Sequence, residues 1–176
     1  MSAEERGVSP TGGAAVRRED ERRGPAVREY WAAFRAGNGV QDQHYDAFAF
    51  GDSPEMADEL ADLVLRGPKR ATAGLLLDFE HDREPLPRVG GYAVILDGRG
   101  QPVAMLRTTQ VEVKPLREVD ATFAWDEGEG DRSLQWWLEA HRRFFRRRCA
   151  ALGAAFSDDL PTVFERFDLV WPVEAP

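Results

Sequence analysis

The chain has 176 residues, with 23 Lys plus Arg against 31 Asp plus Glu, a formal net charge of −8 and a pI of about 5.0. That length suits one domain of about 100–200 residues, and a core that buries roughly 70% of the unfolded surface needs no disulfide or metal staple. Ten Phe and five Trp exclude a wholly disordered chain, while the single Cys149 and the absence of an apolar run of about 20 residues point to a cytoplasmic protein with no membrane partner.

Residues 1–24 read as a disordered tail: Ser9-Pro10 and Gly12-Gly13 break structure, and no apolar period appears. Its five Arg balance its five acids, so residues 25–176, read as a single domain, carry the whole net charge. A helix is predicted over residues 26–36, where Val27, Tyr30, Trp31 and Phe34 repeat at helical spacing and Gly37 offers a stop. Residues 38–52 read as a loop. The second helix opens with Ser53 as N-cap and Pro54 in the first turn. Gly67-Pro68 closes it.

The period then changes from helix to strand. Strands are predicted over residues 73–80, 92–96, 102–113 and 163–171, with Asp97-Gly98 marking a tight turn. A third long helix, residues 133–152, lies between the last two strands. Without regular strand–helix alternation a parallel sheet is not expected. The pattern predicts an α+β fold, an antiparallel barrel with helices grouped outside it.

Three constellations could carry chemistry. In Gly67-Pro68-Lys69-Arg70-Ala71-Thr72 a helix ends and the chain turns, bringing Lys69 and Thr72 within reach of one site. A desolvated Lys69 could act as a base; a charged one could neutralise a phosphate or an oxyanion. Thr72 could be a nucleophile or a donor. From the local pattern a solvated lysine after a helix explains the same residues.

In residues 126–133 four carboxylates, Asp126, Glu127, Glu129 and Asp131, stand within six positions, interleaved with Gly128 and Gly130. One could be an acid or base, two could hold a divalent cation, or the segment could simply cap the third helix through Asp131 or Ser133. The third constellation, residues 141–148, packs five Arg into eight positions. It reads as a solvated helix face that could also receive an RNA backbone, with His141 on the apolar side as a core histidine. Residues 117–131 sum to −5 and residues 141–148 to +5, so the charge is patterned rather than spread. That pattern argues against coating long RNA and for taking a nucleotide or a short strand into a cleft.

Gly67-x-Lys69-x-x-Thr72 resembles the Gly-x-Lys-x-x-Thr signature of the ASCH domain, and Glu127-Gly128-Glu129-Gly130-Asp131-x-Ser133-Leu134, followed by Trp137 and His141, resembles its longer bacterial branch. Phe50-Gly51-Asp52, residues 57–60 and residues 165–167 are also similar, so the resemblance spans roughly residues 27–172. It implies a PUA-like fold, a small antiparallel β-barrel flanked by helices, and a link to single-stranded RNA or modified nucleosides. It implies Lys69, Thr72 and Glu129 as catalytic residues, with Glu127 a rival for Glu129. Phe50, Arg70, Asp131, Arg132 and Ser133 are expected as substrate contacts. The leading expectation is a ribonuclease whose Lys69 neutralises the phosphate while Glu129 accepts a proton. No resident metal ligand set is expected, though a divalent cation such as Mg or Mn could assist. The alternatives are an amidohydrolase deacylating N4-acetylcytidine-type nucleosides, marked by a small enclosed pocket, and a non-catalytic RNA or nucleotide-binding module, marked by Lys69 standing too far from Glu129 to share a reacting group. Oligomeric state is left open.

Overall fold

The computed structural model describes residues 24–172; the expected N-terminal tail lies outside them except for Gly24. Helix α1 (Pro25–Asn38) is followed by a three-residue strand β1 (Asp46–Phe48) and helix α2 (Pro54–Arg66). Strand β2 (Ala71–Leu75) runs straight into α3 (Leu76–Asp82). Strands β3 (Tyr92–Leu96) and β4 (Pro102–Pro115), a single 3-10 turn at Leu116–Glu118, and helices α4 (Ala121–Glu127) and α5 (Leu134–Ala151) lead to the last strand, β5 (Pro161–Trp171).

The five strands form one sheet in the order β1-β3-β4-β5-β2, a curled half-barrel whose neighbours are antiparallel except for β1 beside β3. Alternation along the strands feeds both faces. Ala93, Ile95, Ala104 and Leu106 pack towards α2 with Phe48, Phe50 and Phe167. Val94, Leu96 and Met105 pack towards α1 with Trp31, Phe34 and Tyr45. A third cluster joins β2 to α4 and α5 through Ala71, Ala73, Phe123, Trp137 and Phe145.

Several local expectations shift. Gly39, not Gly37, ends α1 in the left-handed conformation, at φ 64°. The loop over residues 38–52 contains β1, too short to show a period. The strand expected over residues 73–80 stops at Leu75. The following Leu76, Leu77, Asp78 and Glu80 are not β-branched, and α3 buries Asp78 against Arg148 of α5, at 2.6 Å. Helix α4 was not expected at all: Asp120 caps it by accepting the Phe123 amide at 2.8 Å. Ser53 and Ser133 cap α2 and α5 as their positions suggest, accepting the amides of Met56 and Trp136.

Candidate active site

The turn after α2 and the segment after α4 are locked together by the backbone. The Arg70 amide donates to Asp126 O at 2.7 Å, and the Arg70 carbonyl accepts from the Phe167 amide at 3.0 Å. The interleaved glycines explain how close the two segments come. Gly128 ends α4 at φ 73°, and a Cβ there would lie 2.7 Å from the Lys69 amide nitrogen. Gly130, at φ 56°, lies against the Trp136 ring, which a Cβ would strike at 2.1 Å. Both positions need a left-handed backbone and no side chain.

This closure seals Lys69, which is 0% exposed, between two carboxylates. Its ammonium donates to Glu129 Oε1 at 2.5 Å and to Glu127 Oε1 at 3.5 Å, and stands 5.1 Å from the centre of the Phe50 ring. Glu127 is itself buried. The Trp137 indole N–H donates to its Oε2, and His141 Nε2 lies 3.5 Å from its Oε1. His141 stacks on Trp137, with ring centroids 3.7 Å apart, and its Nδ1 lies 3.0 Å from the Trp137 carbonyl oxygen. Since a carbonyl can only accept, that nitrogen carries a proton.

The charges support one another. Burial pulls the Lys69 ammonium down, but Glu129 and Glu127 outweigh it and hold its pKa above the ordinary lysine value. Burial pushes the Glu127 carboxyl up, yet His141 and Lys69 prevail and hold it well below the usual carboxylate range. Burial also opposes charge on His141, and Glu127 raises it nonetheless. Lys69 is therefore a fixed cation in the resting site, not a free base.

A pocket of about 220 Å³ lies between α2 and α5 over β2. Phe50, Met56, Leu60, Trp136 and Phe144 make its apolar walls, while Thr72, Glu127, Glu129 and His141 supply polar groups. Thr72 is 2% exposed, and its buried hydroxyl has no hydrogen-bond partner among the described residues. Lys69 does not line the pocket; it lies behind the two glutamates.

Of the residues expected at the site, Phe50, Thr72 and Glu129 meet at this pocket, with Lys69 behind them. Arg70, Asp131, Arg132 and Ser133 do not line it. The Arg70 guanidinium donates to the carbonyls of Val64 at 3.0 Å and Lys69 at 2.6 Å, completing the end of α2. Asp131 accepts the Ser133 amide at 2.8 Å, and Ser133 caps α5. Arg132 lies 3.7 Å from the Trp125 ring centre and donates to the Trp125 carbonyl. These four shape the loop around the site. His141, read from the sequence as a core histidine, belongs to the site through Glu127. The i,i+4 pair Trp137–His141 on one helix face was the available signal.

An acidic loop holding a divalent cation does not fit this donor set. Glu127 and Glu129 converge on the Lys69 ammonium, Asp126 pairs with Arg166 at 2.9 Å, and Asp131 turns back to its own loop. Among the described residues no group of three or more His, Cys, Asp or Glu is gathered as a metal site.

A curled half-barrel with a pocket beside one sheet edge defines a PUA-like domain, a fold often linked to RNA binding. The family model for the ASCH domain matches residues 46–171, and the chain belongs to that family. The crystal structure of an ASCH domain from Lactobacillus crispatus JV V101 is similar, with a TM-score of 0.77 and 33% identity over 86% of this chain and 98% of that one. Protein EF3133 from Enterococcus faecalis V583 superposes with a TM-score of 0.76 and 37% identity, over 82% of this chain and 88% of that one. No curated protein matches the chain. Among the described residues no helix is long and apolar enough to cross a membrane.

Proposed function

We propose that the pocket takes the base of a modified nucleoside and hydrolyses an amide on it, as in deacylation of N4-acetylcytidine. The observation that carries this reading is that one pocket is lined by Thr72, with a buried hydroxyl left without a partner among the described residues, and by two glutamates that converge on a buried lysine. Drug-sized ligands occupy cavities of about 300–1,000 Å³. A pocket of about 220 Å³ suits one planar heterocycle with a small substituent.

In this mechanism Glu129, with its side chain 17% exposed, is the carboxylate able to reach both pocket and solvent. It accepts a proton from water as the water oxygen attacks the acyl carbon. Thr72 donates to the acyl oxygen as negative charge grows there. When the C–N bond breaks, Glu129 returns the proton to the leaving amine, releasing the carboxylic acid and the free exocyclic amine. Lys69 holds Glu129 in place through their 2.5 Å contact, while Glu127, held by Trp137 and His141, fixes Lys69 from the other side.

The ribonuclease reading needs Lys69 at a phosphate, whereas the ammonium is 0% exposed and committed to two carboxylates. The binding-module reading carried the mark of a distant Lys69 and Glu129, whereas they are 2.5 Å apart. Incubation of purified protein with N4-acetylcytidine, followed by chromatography, tests the proposal. Cytidine and acetate are expected, with formation abolished in Glu129→Gln and strongly reduced in Thr72→Val. No product at high enzyme concentration would refute it.

A further inference from the structure

The arginine cluster of α5 is not one solvated face. Arg142 pairs with Asp158 at 2.5 Å, Arg148 pairs with Asp78 at 2.6 Å, and Arg146 lies 4.9 Å from the Phe156 ring centre. Those three hold the fold together. The other two, Arg143 and Arg147, line the pocket. Arg147 shares one guanidinium nitrogen with Asp52, at 2.5 Å, and lies 5.5 Å from the Phe144 ring centre. That leaves most of its five N–H donors uncommitted to a carboxylate. Arg143 is exposed, with no carboxylate or ring partner among the described residues.

The pocket therefore has two chemically opposite ends. Trp136, Ala140, Arg143 and Arg147 follow one another at spacings of three and four residues, so they mark a line along α5. Glu127, 1% exposed, and Glu129 stand beside the first turns of that helix. Arg147, with its side chain 58% exposed, stands at the rim. Trp137, which holds Glu127, is six residues before Arg143, or about 9 Å along the axis at ~1.5 Å per residue. That is comparable with the span from the edge of a base to its own 5′-phosphate. To a phosphate the carboxylate end offers acceptor oxygens already paired with Lys69, whereas the arginine end offers guanidinium donors that match its oxygens. The base would point the other way.

We propose that the ligand of this pocket is a nucleotide rather than a free nucleoside, with Arg143 and Arg147 holding its 5′-phosphate. This rests on the reading of the pocket as a base site. The two arginines position the base through its phosphate and do not take part in the bond-breaking step. A free nucleotide and the 5′-phosphorylated end of a short strand present the same group.

Calorimetric titration compares N4-acetylcytidine, N4-acetylcytidine 5′-monophosphate and a 5′-phosphorylated dinucleotide beginning with the same base. The monophosphate is expected to bind at least about tenfold more tightly than the nucleoside, the scale of one charge-assisted contact. The preference should shrink as salt rises. In the double variant Arg143→Gln/Arg147→Gln, checked for folding by circular dichroism, the ratio of the two affinities should fall to about one. Equal affinity for both ligands in the unaltered protein, or a preference that survives the double substitution, overturns the phosphate assignment while leaving the base pocket standing. Failure of all three ligands to bind overturns both readings. Dinucleotide binding as tight as the monophosphate extends the assignment to strand ends; rejection of the dinucleotide confines it to free nucleotides.

Discussion

Two buried ion pairs stand along α5, and they differ in kind. Towards its C-terminal end Arg148 grips Asp78 through two nitrogens, at 3.0 and 2.6 Å, and neither residue lines the pocket. Burial still raises the Asp78 carboxyl above its usual value, and one of its oxygens has no hydrogen-bond partner among the described residues. Beside the N-terminal half Glu127 receives a lysine, an indole N–H and an imidazole, and its carboxyl is lowered despite complete burial. The first pair joins α3 to α5. The second gathers more compensating groups than one carboxylate needs to stay charged, and Glu127 and His141 among them line a cavity. Buried charge alone therefore does not mark a site; surplus compensation beside an accessible pocket does.

The largest expected effect tests that contrast directly. Lys69→Met leaves two carboxylates without their cation and is expected to cost about 3–5 kcal/mol. Arg148→Met leaves a carboxyl already displaced towards its neutral form and should cost less, about 1–3 kcal/mol. Urea unfolding of both variants measures the difference, and equal losses would erase the distinction between the pairs. Next, Glu129→Gln should lower turnover of an acylated nucleoside by about 10²-fold or more. Its midpoint in urea should fall as well, though less than in Lys69→Met, because the buried ammonium keeps Glu127 and a neutral amide acceptor. Asp78→Asn should leave turnover unchanged in the same assay.

A smaller effect concerns the close approach that makes the site. Gly128→Ala must adopt a left-handed backbone and push against the Lys69 amide, at an expected cost of about 2 kcal/mol. Thermal melting measures it, with Gly100→Ala as the comparison, since that glycine is also left-handed but meets nothing within 4 Å. The smallest effect is in pH. His141 has its folded pKa raised above the unfolded 6.5, so its contribution is fully present below pH 6.5 and is lost as pH rises through the folded value. Glu127 works in the opposite sense: its contribution is present above pH 4.5 and is lost on acidification towards about pH 2. Melting temperatures should therefore fall on the alkaline side of pH 6.5 in the unaltered protein and fall less steeply in His141→Asn.

The sequence made the punctuation of the helices legible because capping is local. Ser53, Ser133 and Gly67-Pro68 act through neighbours a few residues away. Three of the strands were legible for the same reason, as runs of alternating or β-branched residues. Helix α3 was hidden because what stabilises it is Arg148, seventy positions away. Strand β1 was hidden because three residues have no period. At the site, the glycines among the acids were visible as an oddity, but their reason is contact with Lys69 and Trp136, which no local pattern contains. Arg70, Asp131, Arg132 and Ser133, expected as substrate contacts, stand off the pocket lining because their polar groups are taken up within their own segments, which no local pattern shows. A further clue lies in composition: only two of the 23 cationic residues are lysines, Lys69 and Lys114. One of the two is the compact ammonium that stands between the two glutamates.

The scarcity of lysine turns the burial of Lys69 into a reporter. Lys114 keeps 24% of its side chain exposed and pairs with the half-exposed Glu112, whereas Lys69 is closed over by residues 58 and 60 positions later in the chain. An amine-directed reagent should thus modify Lys114 in the native protein and spare Lys69. Lys69 becomes reactive only when the segment containing Glu127 and Glu129 lifts away. The ratio of the two labels, read by peptide mass, would report how often the site comes apart in a molecule that otherwise remains folded.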